Sequence, residues 1–76
     1  MDNIKFLTDL NIQEIVSFIV DDENIEYDEA IDRFYSSAVF KKLSDPLTGL
    51  YRESPAYIYE LFKNELKHGK IIQNEQ

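Results

Sequence analysis

Cysteine is absent from this 76-residue sequence, glycine and proline occur twice each, and histidine occurs once. The lack of cysteine excludes a disulfide scaffold, cysteine-ligated zinc, iron–sulfur clusters and thiol catalysis. The two glycines, Gly49 and Gly69, are too far apart to form a phosphate-cradling loop. A chain this short, without disulfides, must be stabilised by a well-filled apolar core. A cysteine-free chain suits the reducing cytoplasm, where we expect the protein to act.

Long apolar runs are also missing. A membrane-spanning helix needs about 20 apolar residues, whereas the longest candidate stretch, residues 10–20, is interrupted by Asn11, Gln13, Glu14 and Ser17. The first residues lack the basic and apolar regions of a secretory signal. We therefore expect neither membrane insertion nor export.

Basic residues are few, and the charge is unevenly distributed. Eight bases face fifteen acids, for a net charge of −7. Residues 1–38 hold ten of the acids and two of the bases. The densest acidic run comprises Asp21, Asp22, Glu23, Glu26, Asp28, Glu29 and Asp32. This charge repels phosphate backbones, so we expect no direct contact with nucleic acid.

The apolar spacing is helical throughout. Apolar residues recur at i, i+3, i+4 and i+7, and no segment alternates as a strand would. We predict an all-α fold, a small bundle of three to four helices in one domain over residues 1–69, with a disordered tail at 70–76. The predicted helices cover residues 10–21, 27–36, 38–44 and 55–68. The first has an ambiguous start, because Ile4, Phe6 and Leu7 can form an earlier turn or belong to the same helix.

Helix ends are marked by local signals. Ser36-Ser37 predicts a bend, Asp45-Pro46 ends the third helix, and Ser54 caps the last one before Pro55. Gly69 is a suitable residue to end that helix. The loop between the third and last helices has apolar residues that we expect to anchor it, Leu47, Leu50 and Tyr51. The predicted buried face of the last helix comprises Tyr57, Ile58, Leu61, Phe62 and Leu66.

No motif for chemistry is complete. An EF-hand loop starting at Asp22 would place Tyr27 at the obligatory glycine and Arg33 at the bidentate glutamate, so the calcium motif fails. The single histidine, His68, fits a helix C-terminus, where it interacts favourably with the helix dipole. We identify no catalytic, cofactor-binding or metal-binding residues, and expect a protein that is not an enzyme.

Tyrosine is the remaining compositional feature, with five residues. Four are interpreted as peripheral core residues with hydroxyls at the surface: Tyr27, Tyr35, Tyr51 and Tyr57. Tyr59 lies one position off the predicted face of the last helix and is expected to point outward. Because tyrosine and arginine are over-represented at binding hot spots, the candidate partner patch comprises Tyr51, Arg52 and Tyr59.

Three segments together resemble a known group of proteins: the apolar first helix, the acidic helix with its aromatic end at residues 25–35, and the capped start of the last helix at residues 50–61. Their sequence is similar to that of short, uncharacterised bacterial helical proteins, over about residues 10–66. Glu26 departs from the serine or threonine cap expected there. Some proteins of that group look like members of small operons in which one protein neutralises another, as in toxin–antitoxin pairs. The resemblance implies no activity and no catalytic residues.

Two functional hypotheses follow. The first is a non-enzymatic, acidic protein-interaction module, antitoxin-like or regulatory, whose partner is another protein of unknown identity. The alternative is an acidic decoy whose run of acids occupies the basic groove of a nucleic-acid-binding protein. The salt dependence of binding distinguishes the two hypotheses. A decoy loses affinity for its partner steeply as ionic strength rises, whereas a Tyr/Arg-centred apolar contact does not. The sequence leaves the oligomeric state open.

Overall fold

Four α-helices and two short 3-10 turns make up residues 3–69, the part of the chain that the computed structural model describes. The helices are α1 (Asn3–Glu23), α2 (Tyr27–Tyr35), α3 (Ala38–Ser44) and α4 (Pro55–His68), and the 3-10 turns are Pro46–Thr48 and Leu50–Arg52. No strand occurs within residues 3–69, and the predicted all-α bundle is confirmed. The predicted disordered tail lies outside the described residues.

The predicted helix ends are largely confirmed. Ser37 and Ser54 are N-caps whose hydroxyls accept hydrogen bonds from the backbone N–H of Phe40 and Tyr57, at 3.0 and 3.1 Å. Gly69 ends α4 with φ of 77°, a left-handed conformation that glycine adopts without strain. These local contacts satisfy terminal backbone groups and mark the start of α3 and both ends of α4.

The first helix begins at Asn3 rather than near residue 10. Ile4 packs against the core, and Lys5 pairs with Asp9 one turn later at 3.0 Å. Both contacts favour a continuous helix over a separate turn. The N-terminal third of α1 therefore adds its own side chains to the surface beside the bundle.

The core lies where α1, α2 and α4 meet, with α3 packed against α4. Phe34 of α2 and Phe62 of α4 meet edge to face, with ring centroids 5.5 Å apart. The buried apolar residues are Ile15, Val16, Ile19, Ala30, Phe34, Val39, Leu43, Leu50, Tyr51, Ile58, Tyr59, Leu61 and Phe62. All four helices and the second 3-10 turn thus contribute to one core.

The buried face of α4 differs from the predicted one. Tyr59 is only 7% exposed, whereas Tyr57 and Leu66 are exposed. Successive residues are about 100° apart on a helix, so Tyr57 and Tyr59 flank Ile58 on opposite sides. Because α1 lies on the Tyr59 side, the expectation that Tyr59 points outward is wrong.

Two further expectations about apolar side chains are wrong. Leu47 is 95% exposed and does not anchor its loop, since it stands in a 3-10 turn held by polar contacts of Asp45 and Thr48. Tyr27, Tyr35 and Tyr57 are exposed rather than in the core. The buried tyrosines are the two assigned to the partner patch, Tyr51 and Tyr59.

A side chain from α4 completes the start of α3. The Glu65 carboxylate accepts hydrogen bonds from the backbone N–H of Ala38 at 2.9 Å and of Val39 at 3.0 Å. Together with Ser37, it satisfies the N–H groups that a helix leaves unpaired in its first turn. A carboxylate at this position also interacts favourably with the helix dipole.

Candidate functional site

The predicted partner patch does not form one exposed surface. Tyr51 is 9% exposed and Tyr59 is 7% exposed, while Arg52 is exposed. Tyr51 and Arg52 line one hollow beside α1, and Tyr59 lines another. The structure therefore divides the predicted patch between two sites along α1.

The first hollow, which we call the leucine groove, has a volume of about 400 Å³. It is lined by Leu7, Leu10, Asn11, Glu14, Tyr51, Arg52, Glu53 and Pro55. Leu7 and Leu10 remain 39% and 43% exposed, and the neighbouring Phe6 is 59% exposed. Three large apolar side chains thus meet solvent within two turns of one helix.

Arg52 forms part of the rim of the leucine groove. Its guanidinium carbon lies 5.5 Å from the centroid of the Tyr51 ring, and its Nε donates a hydrogen bond to the Tyr51 hydroxyl at 3.3 Å. These contacts give a long, mobile side chain a preferred position against an aromatic surface. Arg52 is therefore held at the groove beside the exposed leucines, and arginine is one of the residue types enriched at binding hot spots.

Asn11 attaches the groove wall to α1. Its buried amide donates a hydrogen bond to the backbone carbonyl of Tyr51 at 3.1 Å, which fixes the second 3-10 turn against the helix. In the sequence, Asn11 stands out only as a polar interruption of the apolar stretch 10–20. The signal that could have found it is its register, since Asn11, Ile15 and Ile19 follow at i, i+4 and i+8 on the buried stripe.

The second hollow, which we call the aromatic hollow, lies between the later part of α1 and the first turns of α4 and has a volume of about 230 Å³. Its lining comprises Phe18, Asp21, Asp22, Ala56, Tyr59 and Glu60. Phe18 and Tyr59 have ring centroids 5.3 Å apart and are tilted by 45°. The apolar floor of the hollow is therefore bordered by three carboxylates.

Tyr59 holds this hollow together through its hydroxyl, which donates a 2.7 Å hydrogen bond to the Asp22 carboxylate. Burial raises the pKa of the Tyr59 hydroxyl above its ordinary value, and the hydrogen bond to ionised Asp22 raises it further. The tyrosine therefore stays a neutral donor well into alkaline solution.

All seven members of the acidic run are exposed. They extend from the last turn of α1 through the connection and into the second turn of α2. Arg33 lies 3.6 Å from Glu23 and 3.1 Å from Glu29 and offsets part of this charge. The run is thus a solvated acidic surface that adjoins the aromatic hollow at Asp21 and Asp22.

Residues 3–69 contain no assembled site for metal-dependent or histidine-based chemistry. No group of three or more histidine, cysteine or acidic side chains is placed there to hold a metal ion. His68 is exposed in the last turn of α4. None of the helices in this part of the chain has the length and apolar character needed to cross a membrane.

Comparison with known proteins returned no match to a family model, a curated protein or a solved structure. The resemblance to short bacterial helical proteins stays a prediction. The two hollows and the acidic run are therefore the features of the molecule that bear on its function.

Proposed function

We propose that this chain is a small, non-enzymatic protein-interaction module of the cytoplasm, which binds another protein through the leucine groove. A regulatory or antitoxin-like role, in which a small protein neutralises a larger one, follows from the resemblance described above. The single observation that carries the proposal is that Leu7 and Leu10, which line that groove, remain exposed, with the exposed Phe6 next to Leu7 in the chain.

The exposed residues are placed as binding residues commonly are. Exposed apolar side chains that are scattered singly are ordinary, but neighbours beside a concave surface are typical of a binding site. Leu7 and Leu10 are three residues apart on α1 and therefore lie on the same face. A partner segment that packs on them gains stability by removing their apolar surface from water.

We revise the residues proposed for binding according to the burial of each side chain. Arg52 keeps its place at the rim, and Tyr51 contributes as a support for Arg52. Tyr59 belongs to the core and to the aromatic hollow rather than to the leucine groove. The partner surface that we propose is therefore formed by the leucines of α1 rather than by the tyrosines.

The test is partner capture by the full chain, with identification by mass spectrometry, for the wild type and for two matched variants. The double change Leu7→Ser/Leu10→Ser removes the proposed contact. Leu47→Ser changes the most exposed leucine, which lies on the 3-10 turn away from the groove. We expect a partner that is lost with the first variant and retained with the second. Equal loss with both, or retention by both, contradicts the proposal.

The acidic run supports a second candidate function, the acidic decoy for a basic nucleic-acid-binding protein. The supporting observation is that all seven carboxylates, which are close together in the sequence, are exposed. Clustered charge of one sign accelerates association with an oppositely charged partner and makes affinity sensitive to salt.

Salt dependence distinguishes the two candidates. Binding through the leucine groove should change little between low and moderately high ionic strength, whereas decoy binding should weaken steeply. The double change Asp28→Asn/Asp32→Asn should weaken only the decoy interaction. These residues lie in the first turns of α2 and line neither hollow.

A further inference from the structure

The aromatic hollow combines an apolar floor with carboxylates from two helices. We propose that it binds the guanidinium group of an arginine side chain presented by a partner protein. The inference rests on the proposed function only in that the arginine belongs to another protein, since the site is distinct from the leucine groove. No residue lines both hollows.

The floor suits the stem and plane of an arginine side chain. Phe18 is half-buried and supplies the accessible aromatic ring of the floor, the buried Tyr59 ring packs against it at a tilt of 45°, and the small Ala56 side chain lies beside them. Aromatic faces attract cations, and arginine stacks on them more often than lysine does. The methylene stem of arginine can cover the remaining apolar surface while its head stays at the rim.

The rim supplies the opposite charge. Asp21 and Asp22 come from the last turns of α1, and Glu60 comes from the second turn of α4. These carboxylates border one hollow from two directions, which a planar group with several divergent N–H donors can exploit. Metal binding does not account for them, since residues 3–69 hold no acidic cluster placed to ligate a metal ion.

A cation within the chain already uses part of this chemistry. The Lys63 ammonium lies 4.9 Å from the centroid of the Tyr59 ring and 3.1 Å from a Glu60 carboxylate oxygen. Lys63 lies beside the hollow and is not one of its lining residues. The same ring and carboxylate therefore already attract a positive charge, and an arginine that enters the hollow competes with Lys63 for them.

The apolar character of the site favours arginine over lysine. A lysine ammonium is a compact and strongly hydrated charge, so entry into an apolar hollow costs it more water contacts. A guanidinium group is more weakly hydrated and can stack on the floor while it donates hydrogen bonds to the rim. The arginine must therefore come from a segment that can approach the seam between α1 and α4.

The test is an NMR titration of the isotope-labelled full chain with N-acetyl-arginine amide at constant ionic strength. We expect saturable amide shift changes confined to the residues that line the hollow: Phe18, Asp21, Asp22, Ala56, Tyr59 and Glu60. N-acetyl-citrulline amide, which has nearly the same shape without the charge, should produce no such changes. N-acetyl-lysine amide should bind more weakly.

Two variants with equal loss of charge locate the site. Asp21→Asn/Glu60→Gln removes rim carboxylates and should weaken binding by roughly fivefold or more. Asp28→Asn/Asp32→Asn removes the same charge elsewhere in the acidic surface and should change binding by less than about twofold. Asp22 is left intact in both because it holds Tyr59, and thermal melts confirm that each variant is folded.

Several outcomes overturn the proposal. Shift changes spread over the acidic run and reduced equally by both variants mean general attraction of charge. Equal binding of the citrulline or lysine compound means that the site does not select a guanidinium group, and the absence of saturable changes means that there is no site. None of these results affects the leucine groove, whose own test uses Leu7 and Leu10.

Discussion

Tyr59 and Asp22 are joined by a 2.7 Å hydrogen bond that links the fourth helix to the end of the first, 37 residues earlier in the chain. The Tyr59 ring is buried against Phe18 at 5.3 Å and Phe62 at 6.2 Å, while its hydroxyl reaches the exposed carboxylate. One side chain thus belongs both to the core and to the floor of a surface hollow. Its replacement should affect stability before it affects binding.

Tyr59→Ala should lower the free energy of unfolding by about 3 kcal/mol or more, because it removes a buried aromatic ring and leaves a cavity. Tyr57→Ala is the matched control, since Tyr57 lies two residues earlier on the exposed side of α4, and it should cost less than about 1 kcal/mol. Urea unfolding of both variants provides the measurement. Similar losses in the two variants would contradict the buried position of Tyr59.

Alkaline solution should destabilise the protein partly through Tyr59. The pKa of this hydroxyl is raised by burial and by Asp22, while an unfolded tyrosine ionises near pH 10. Above about pH 10 the unfolded chain releases this proton first, so the free energy of unfolding falls as pH rises.

Tyr59→Phe cannot ionise and should lack this part of the alkaline loss, although it costs about 1 kcal/mol at neutral pH because the hydrogen bond is missing. Urea unfolding at neutral pH and at about pH 10 to 11 tests both statements. If wild type and variant lose stability in parallel as pH rises, Tyr59 is not responsible.

Asn11→Ala should cost about 1–3 kcal/mol, because it leaves the backbone carbonyl of Tyr51 without the amide donor found in the structure. It should also accelerate hydrogen exchange in the turn Leu50–Arg52, which that bond attaches to α1. Gln13→Ala changes an exposed residue two positions later and should be nearly neutral. Unchanged exchange in the turn would show that the bond does not hold it.

Glu65→Ala should cost about 1–2 kcal/mol, since it removes a carboxylate cap from two N–H groups of α3. Glu60→Ala breaks only an exposed pair with Lys63 and should cost about 0.5 kcal/mol or less. Amide exchange at Ala38 and Val39 should increase in the first variant alone. An equal effect of both variants on these amides would exclude the specific cap.

Local signals in the sequence were sufficient to predict the four helices and most of their ends. Ser37 and Ser54 begin helices and Gly69 ends one, through bonds or conformations that involve residues within four positions. Their roles can therefore be predicted from neighbouring residues in the sequence. The apolar periodicity likewise predicted the number of helices. These signals specify each helix separately, but they do not specify how the helices pack together.

The surfaces depend on contacts between distant residues, and there the sequence was less informative. Tyr57 and Tyr59 are equally close to Ile58 on α4, and only the position of α1 decides which is buried. Asn11 and Glu65 bond to backbone groups 40 and 26–27 residues away. No pattern within one helix reveals such partners, so the predicted patch of Tyr51, Arg52 and Tyr59 combined residues that the fold separates.

The cap that Glu65 places on α3 also has a consequence for the order in which the chain can fold. Helix α3 has seven residues, fewer than an isolated helix needs to persist in water. Part of its first turn is completed by a residue that the ribosome adds 26 positions after Val39. A nascent chain that ends before α4 lacks this cap, so we expect α3 and α4 to form as a unit only after α4 has been synthesised.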